Sequence, residues 1–235
     1  MTEPDRVHAV PPARRAVAQR PPVLFGVIAR GALGRLLGRD GAADVVALTA
    51  ERYQLPPALA GTRAGRVDLR IASYLLALRD ALVHSGMPMD QAEKLLADTM
   101  YRLMRWLQQP LNLVAATVHP GSRLARTRLR EQLARRAFYR RPDWVMTDVD
   151  APGCYAFDVR RCLYADYLGG RGEGTFCERV LCDQDLRMAE GHGEVLLRTG
   201  TLAGGADRCD FRYVVGDRDV GQVQPVQKRS PRLPR

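Results

Sequence analysis

The sequence lacks any uninterrupted apolar run of about eighteen residues, the length that a helix needs to cross a bilayer. We therefore expect no transmembrane segment. The first residues, MTEPDRVHAVPPARRAVAQRPP, also lack the apolar core of a secretion signal. These two absences predict a cytoplasmic protein.

Cysteine is absent before Cys154, and all five cysteines lie between Cys154 and Cys209. An odd number of cysteines does not fit a closed disulfide framework, so we expect reduced thiols. A C-x2-C pair is also missing. We expect no cofactor. Zinc is the possible exception, because Cys177 and Cys182 with Cys162, Cys209 or His192 supply enough ligands for a tetrahedral site.

The chain has few acidic residues relative to basic ones and therefore an excess of positive charge. The 36 Lys and Arg residues outnumber the 26 Asp and Glu residues, and the net charge is +10. Residues 1–21 and 221–235 carry much of this excess, are rich in Pro and Arg, and are predicted to be disordered tails. A chain of 235 residues with 46% hydrophobic residues has enough apolar material for a real core between them.

Residues 22–145 have the apolar spacing of helices. The segments VLFGVIARGALGRLLG, AADVVALTAERY, VDLRIASYLLALRDALVHSG and MPMDQAEKLLADTMYRLMRWLQQ each predict a helix. Gly86 is a stop signal for the third, and Pro88 suits the first turn of the fourth. This part of the chain is therefore interpreted as a helical region.

A further helix is predicted in GSRLARTRLREQLARRAFYRR, with Ser122 as its N-cap. Leu124, Leu129, Leu133 and Phe138 would form its apolar stripe among arginines. Such a helix most often covers a core with a solvated outer face, which is our first interpretation. An RNA-binding or membrane-surface helix is the alternative.

Residues 146–220 change character and predict a Cys-rich α+β domain. CYAFDVRRC and the two ends of EVLLRTGTLAGGADRCDFRYVV alternate like strands, whereas LYADYLGG and TFCERVLCDQDLRMAEG have helical spacing. In the last strand, Cys209, Phe211 and Tyr213 share one face. We predict an α+β fold in which the helical region packs on a small, mostly antiparallel sheet with two helices.

Four motifs in this domain resemble one known family. Arg161-Cys162 is followed by Tyr164, Cys182 is followed by Asp185, and the turn LRTGTLAGG and the last strand CDFRY complete the pattern. Residues 150–216 are therefore similar to the L-2-amino-thiazoline-4-carboxylic acid hydrolase family, with a looser similarity in the preceding helices. The resemblance implies an enzyme that opens a C–N or C–S bond of a small cyclic amidine or thiazoline and yields a product of the N-carbamoyl-cysteine type. A role in a biosynthetic pathway is an extension of this hypothesis.

Cysteine chemistry suits such a reaction, because a thiolate attacks an amidine carbon readily. Cys162 lies where a strand meets a helix, whose N–H groups would stabilise a thiolate, and it is our first choice for the attacking group. Cys182, with Asp185 one turn later, and Cys209 are the other candidates. We expect the three thiols to lie within roughly 10 Å of one another and to line one pocket.

The remaining candidates move protons or bind substrate. His192 is the only histidine of this region and is the candidate general base. Arg198 and Arg212 are candidates for binding a substrate carboxylate, Asp210 for shaping the pocket, and Thr201 for contacting substrate. Each of these side chains equally suits a structural role.

Two other functions remain open. The same cysteines and histidine would suit a non-catalytic domain that binds a metal or a small ligand. The arginines would suit a protein that binds RNA or a membrane surface. We expect a small-molecule substrate, do not expect a nucleic-acid partner, and leave a homo-oligomer possible.

Overall fold

The structure is a computed structural model that describes residues 23–215 except Leu55, Pro57 and Ala58. The predicted disordered tails, 1–21 and 221–235, lie outside these residues. The first half of the described chain is helical. Its helices are α1 (Val23–Arg52), α2 (Arg63–His84), α3 (Met89–Val118) and α4 (Arg123–Phe138).

Helix α1 contains the first two predicted helical segments, joined at a kink. Gly38 has a φ of 75° and a ψ of 177° at that point, a backbone conformation that glycine adopts without steric cost. The two segments therefore form as the spacing predicted, and the glycine between them changes the direction of the chain.

Helices α2 and α3 supply much of the core. The Thr62 side chain accepts a hydrogen bond from the Gly65 N–H at 2.9 Å and caps α2. Helix α3 begins after Pro88 as predicted, but it continues through Pro110 to Val118 instead of ending at Gln109. Proline usually ends a helix because it lacks an N–H, so the sequence underestimated the length of α3.

The second half forms the predicted α+β arrangement. Its elements are β1 (Trp144–Val149), β2 (Cys154–Cys162), α5 (Leu163–Gly169), α6 (Gly174–Cys177), a π-helical turn (Glu178–Cys182), α7 (Asp183–Gly191), β3 (Val195–Leu197) and β4 (Cys209–Val214). The strands form one antiparallel sheet in the order β1-β2-β4-β3. The predicted fold class is confirmed, whereas β1 was not predicted.

One face of the sheet packs against the helices. Phe157 of β2 and Phe211 of β4 are register partners and stack with ring centroids 4.8 Å apart. Ala156 and Cys154 lie on the other face with Val214. The alternation in both strands is therefore as predicted, and the inward face joins one hydrophobic core that extends from α1 to β4.

Helix α4 differs from the prediction in the side that it buries. Ser122 is its N-cap and accepts a hydrogen bond from the Ala125 N–H at 3.2 Å, as predicted. Its buried residues, however, are Thr127, Arg130 and Ala134, while Phe138 is exposed. The predicted leucines are only half-buried, with Leu124 packed against the core, because a buried ion pair of Arg130 turns a mostly polar side of the helix inward.

Within the described part of the chain, no helix combines the length and the apolar character that a membrane crossing requires.

Candidate active site

A cavity of about 360 Å³ lies between the helices and the inward face of the sheet. Its wall is mainly aliphatic and aromatic, which is typical of a small-molecule site. Among the groups with chemical function, it contains three cysteines, three carboxyls and three arginines, namely Cys162, Cys182, Cys209, Asp68, Glu131, Asp185, Arg130, Arg135 and Arg198.

A β-bulge directs Cys162 into this cavity. Met146 pairs with Val159 and Val145 pairs with Arg161, so Arg160 is an extra residue in β2. Strict alternation from the inward Val159 would turn position 162 to the other face, and the extra residue reverses that. Cys162 then ends the strand and is the N-cap residue of α5, at the junction that the sequence predicted.

The other two thiols come from different elements. Cys209 begins β4, and its sulfur accepts a hydrogen bond from the Leu202 N–H at 3.2 Å. Cys182 ends the π-helical turn and is the least buried of the three. Such turns often occur at functional sites because they alter which side chains share a helix face. The structure thus places the three candidate thiols on the wall of one cavity.

Burial keeps two of these thiols protonated. It raises the pKa of Cys162 well above its usual value, although the nearby N–H groups of Ala165 and Tyr164 oppose the rise. It also raises the pKa of Cys209 to about 11, against the opposing hydrogen bond from Leu202. Cys162 and Cys209 therefore each need a base before they act as nucleophiles.

Asp185 is a carboxyl suited to proton transfer. Its side chain is 40% exposed, and desolvation of the remainder raises its pKa to about 7, although the adjacent Arg198 guanidinium favours the ionised form. Arg198 Nη1 donates a hydrogen bond to Asp185 Oδ2 at 3.1 Å and another to the Cys182 carbonyl oxygen at 3.1 Å. A carboxyl that is partly ionised near neutral pH can both accept and return a proton.

Arg198 also has unused donors. Its side chain is 1% exposed, and its Nε and Nη2 form no hydrogen bond among the described residues, although Nη2 lies 3.6 Å from Asp183 Oδ1 in a longer ion-pair contact. Buried polar groups are nearly always paired, so these two donors are available to bind a ligand. Gln184 Oε1, also on the cavity wall, is unpaired as well.

Asp68 is a third carboxyl of the cavity and was not found from the sequence. Burial raises its pKa to about 6, while the Tyr164 hydroxyl and the Trp144 indole N–H oppose the rise. Asp68 lies on α2, far along the chain from both aromatic residues. Nothing in its local sequence distinguishes it from an exposed helix aspartate, so only the tertiary fold reveals it.

Four of the candidates from the sequence do not line the cavity: His192, Arg212, Asp210 and Thr201. His192 lies within 3.4 Å of the Asn112 amide at the end of α7, and burial lowers its pKa. Their catalytic and substrate-binding roles stay predictions without a place in this cavity.

Three of these four make structural hydrogen bonds instead. Arg212 donates to the Phe157 carbonyl oxygen at 3.0 Å and to Asp158 at 2.9 Å on the other face of the sheet. Asp210 accepts bonds from the Thr199 and Gly200 N–H groups at 2.8 and 3.1 Å. Thr201 donates to the Glu178 carboxylate.

Across residues 23–215, leaving aside the three that the structure does not describe, His, Cys, Asp and Glu side chains form no group of three or more that would hold a metal ion.

Comparison with protein families connects this cavity to a known group of enzymes. A family model described as L-2-amino-thiazoline-4-carboxylic acid hydrolase matches residues 69–213, which is more than half of the chain. The chain belongs to this family. The resemblance read from residues 150–216 is thereby confirmed and extends through α2, α3 and α4. Searches of curated proteins and of solved structures gave no match.

The name of the L-2-amino-thiazoline-4-carboxylic acid hydrolase family indicates a hydrolase of the thiazoline carboxylic acid type. All three cavity cysteines, Asp185 and Arg198 fall inside the matched range, whereas Asp68 precedes it by one position.

Proposed function

We propose that this protein hydrolyses a small cyclic amidine that carries a carboxylate, with Cys162 as the attacking thiol. One observation supports this most strongly. A single cavity contains the thiol, a carboxyl with a pKa of about 7 at Asp185, and an arginine with unpaired donors at Arg198. These groups match the three needs of the reaction: a nucleophile, a proton carrier and an anchor for the substrate carboxylate.

Arg198 would bind the substrate carboxylate. Its Nε and Nη2 atoms present two parallel N–H groups, which is the geometry that a carboxylate accepts in a two-point bond. Nη1 is already held by Asp185 and the Cys182 carbonyl, so the guanidinium is fixed before substrate binds. Because the Arg198 guanidinium is already held in place, substrate binding costs less side-chain conformational entropy.

The first chemical step would open the ring. Asp185 in its ionised form accepts the thiol proton of Cys162, directly or through water, and the sulfur attacks the carbon between the ring nitrogen and the ring sulfur. The bond from that carbon to the ring sulfur breaks, and protonated Asp185 returns the proton to the departing sulfur. The product of this step is an S-linked isothiourea on Cys162 that retains every atom of the substrate.

The second step would release the product. Water adds to the same carbon, the bond from that carbon to the Cys162 sulfur breaks, and the enzyme thiol recovers its proton. The released molecule is an N-carbamoyl amino acid with a free thiol. One water is consumed overall, and neither an oxidant nor a reductant is needed.

Serine substitutions test this proposal. With L-2-amino-thiazoline-4-carboxylate as substrate, Cys162→Ser should lower the rate of product formation by several orders of magnitude, because a hydroxyl is a far weaker nucleophile at neutral pH. Cys154→Ser is the matched control, since Cys154 is a buried cysteine on the other sheet face. Product is measured by liquid chromatography, so that protein thiols do not interfere.

Mass spectrometry of the intact protein adds a direct readout. Quenched wild-type enzyme should carry an adduct equal to the full mass of the substrate, on the peptide that contains Cys162. An adduct on Cys182 or Cys209 would transfer the role to that residue. Normal rates in the serine variants of all three cysteines would exclude thiol catalysis.

A further inference from the structure

The three carboxyls of the cavity differ in their partners. Asp185 is hydrogen-bonded to Arg198 at 3.1 Å, and Glu131 forms an ion pair with Arg130 at 3.0 Å. Asp68 has no ion pair with any residue that the structure describes, although it lies in the same mainly apolar wall. A partly buried carboxyl without a cationic partner is costly, so its presence calls for a compensating group.

The atoms next to Asp68 show the same deficiency. Asp68 Oδ2 and Trp144 Nε1 are both buried, and neither forms a hydrogen bond of normal geometry, although the nearby Trp144 N–H and Tyr164 hydroxyl both favour the ionised Asp68 carboxyl and oppose the rise of its pKa. One is an acceptor and the other a donor. A ligand that offers a donor to Asp68 Oδ2 and an acceptor to Trp144 Nε1 would satisfy both atoms.

Trp144 lies opposite the proposed nucleophile in the sheet, and Asp68 lines the same cavity. Trp144 and Cys162 are register partners in the β1–β2 ladder, and both side chains line the cavity. Side chains that face each other across antiparallel strands have Cβ atoms about 5 Å apart. Tyr139 and Tyr164 pack edge-on against the indole at 4.7 and 5.4 Å and hold its ring in place.

We propose that Asp68 and Trp144 form the subsite that recognises the amidine of the substrate. Asp68 Oδ2 accepts a hydrogen bond from the exocyclic amino group, and Trp144 Nε1 donates one to the ring nitrogen. This assignment rests on the proposed function, because it supplies the amidine half of the ligand whose carboxylate binds Arg198. It makes Asp68 and Trp144 specificity-determining residues for the same reaction.

The pairing also positions the reacting atom. The two amidine nitrogens flank the carbon that Cys162 attacks, so binding both of them at Asp68 and Trp144 presents that carbon to the neighbouring sulfur. A ring without the amino group would leave the Asp68 carboxylate unpaired. A site built in this way rejects analogues that lack the polar group more strongly than it rejects analogues of a different size.

Binding of two aromatic analogues tests the subsite without turnover. We would measure dissociation constants of 2-aminothiazole-4-carboxylate and thiazole-4-carboxylate by calorimetry. A hydrogen bond to a charged group corresponds to about tenfold to hundredfold in affinity, so the wild-type protein should prefer the amino compound by that factor. Asp68→Asn should remove most of this preference and leave the affinity for thiazole-4-carboxylate within about threefold of the wild-type value.

Glu131→Gln is the control, because Glu131 is a cavity carboxyl whose charge already has a partner in Arg130. That variant should keep the preference. Trp144→Phe retains an aromatic ring but loses the N–H donor, and it should also reduce the preference. Equal losses for both ligands in Asp68→Asn, or an unchanged preference, would overturn the assignment.

The binding experiment can refute the subsite even if the variants fail to fold or the Cys162 mechanism is wrong. If neither substituted protein folds, equal binding of the two analogues by the wild-type protein would still refute the subsite. Because the measurement requires no catalysis, a failure of the Cys162 mechanism would appear in the serine variants and not in this preference.

Discussion

Arg130 and Glu194 form a buried, two-point ion pair with N–O distances of 2.8 and 2.7 Å. Thr127 donates a third bond to Glu194 at 2.6 Å. The three side chains connect α4 to the turn that precedes β3. Helix α4 also contributes Arg130, Glu131, Ala134 and Arg135 to the cavity wall, so this ion pair fixes one side of the candidate active site.

Removing the charge of Glu194 should therefore destabilise the fold strongly. Glu194→Gln removes the two-point partner of the buried Arg130 and leaves it only Glu131, so the free energy of unfolding should fall by up to about 3–5 kcal/mol, the cost of a buried charge with no partner at all. Asp166→Asn is the matched control, because its ion pair with Arg161 has both side chains 43% exposed. Exposed pairs contribute about 0–1 kcal/mol. Urea unfolding of both variants makes the comparison, and similar losses would refute the structural role of Glu194.

Asp185 should make the stability depend on pH. Its pKa is about 7 in the folded protein and about 4 in an unfolded chain, so the folded state holds the proton more tightly. The free energy of unfolding should consequently fall as pH rises from about 4 to about 7. Asp185→Asn should flatten this fall when urea unfolding is measured across that range.

A residual slope should remain in Asp185→Asn, because burial also raises the pKa values of Glu131 and Asp68. Parallel pH profiles for the wild-type protein and the variant would show that Asp185 does not titrate as described.

Arg198→Lys tests the carboxylate anchor. Lysine keeps the positive charge but loses the planar pair of donors, so KM for a thiazoline carboxylate should rise about tenfold to hundredfold, with a smaller change in kcat. Arg212→Lys is the control, because Arg212 bonds to the Phe157 carbonyl and Asp158 outside the cavity. Steady-state kinetics of both variants gives the answer, and an equal rise in KM would argue against a specific role of Arg198.

Gly174 is required by a close approach of two backbones. An added Cβ would lie 2.6 Å from the Ala203 carbonyl oxygen, which belongs to the loop before β4. Gly174→Ala should reduce the free energy of unfolding by about 1–3 kcal/mol. Gly169→Ala places its Cβ in open space and should change the stability by about 0.5 kcal/mol or less. Equal effects in chemical denaturation would contradict this close contact.

The sequence predicted strands β2 and β4 correctly, because their alternation of inward and outward side chains is visible within each segment alone. Alternation in β2 and β4 correctly assigned Phe157, Val159, Cys209, Phe211 and Tyr213 to one face, because side chains of a regular strand alternate whatever it pairs with. The family motifs likewise identified Cys162, Cys182, Asp185 and Arg198, all of which line the cavity.

The sequence did not predict features that depend on distant contacts. Strand β1 forms by pairing with β2, and the bulge at Arg160 exists only in that pairing. Asp68 comes close to Trp144 and Tyr164 only in the folded chain, and the ion pair with Glu194 holds Arg130 of α4 inward. Periodicity describes one segment at a time and contains no information about such partners.

The order of the strands has a consequence for how the protein is made. The central pair of the sheet joins β2 to β4, and Cys154 at the start of one faces Val214 at the end of the other. A ribosome releases the chain from its amino end, so the helices α1–α4 can form while the sheet still lacks its last strand. Closing such long loops is slow compared with helix formation. The cavity is therefore completed late, once β4 has been synthesised, and until then its wall lacks Cys209, Phe211 and Tyr213.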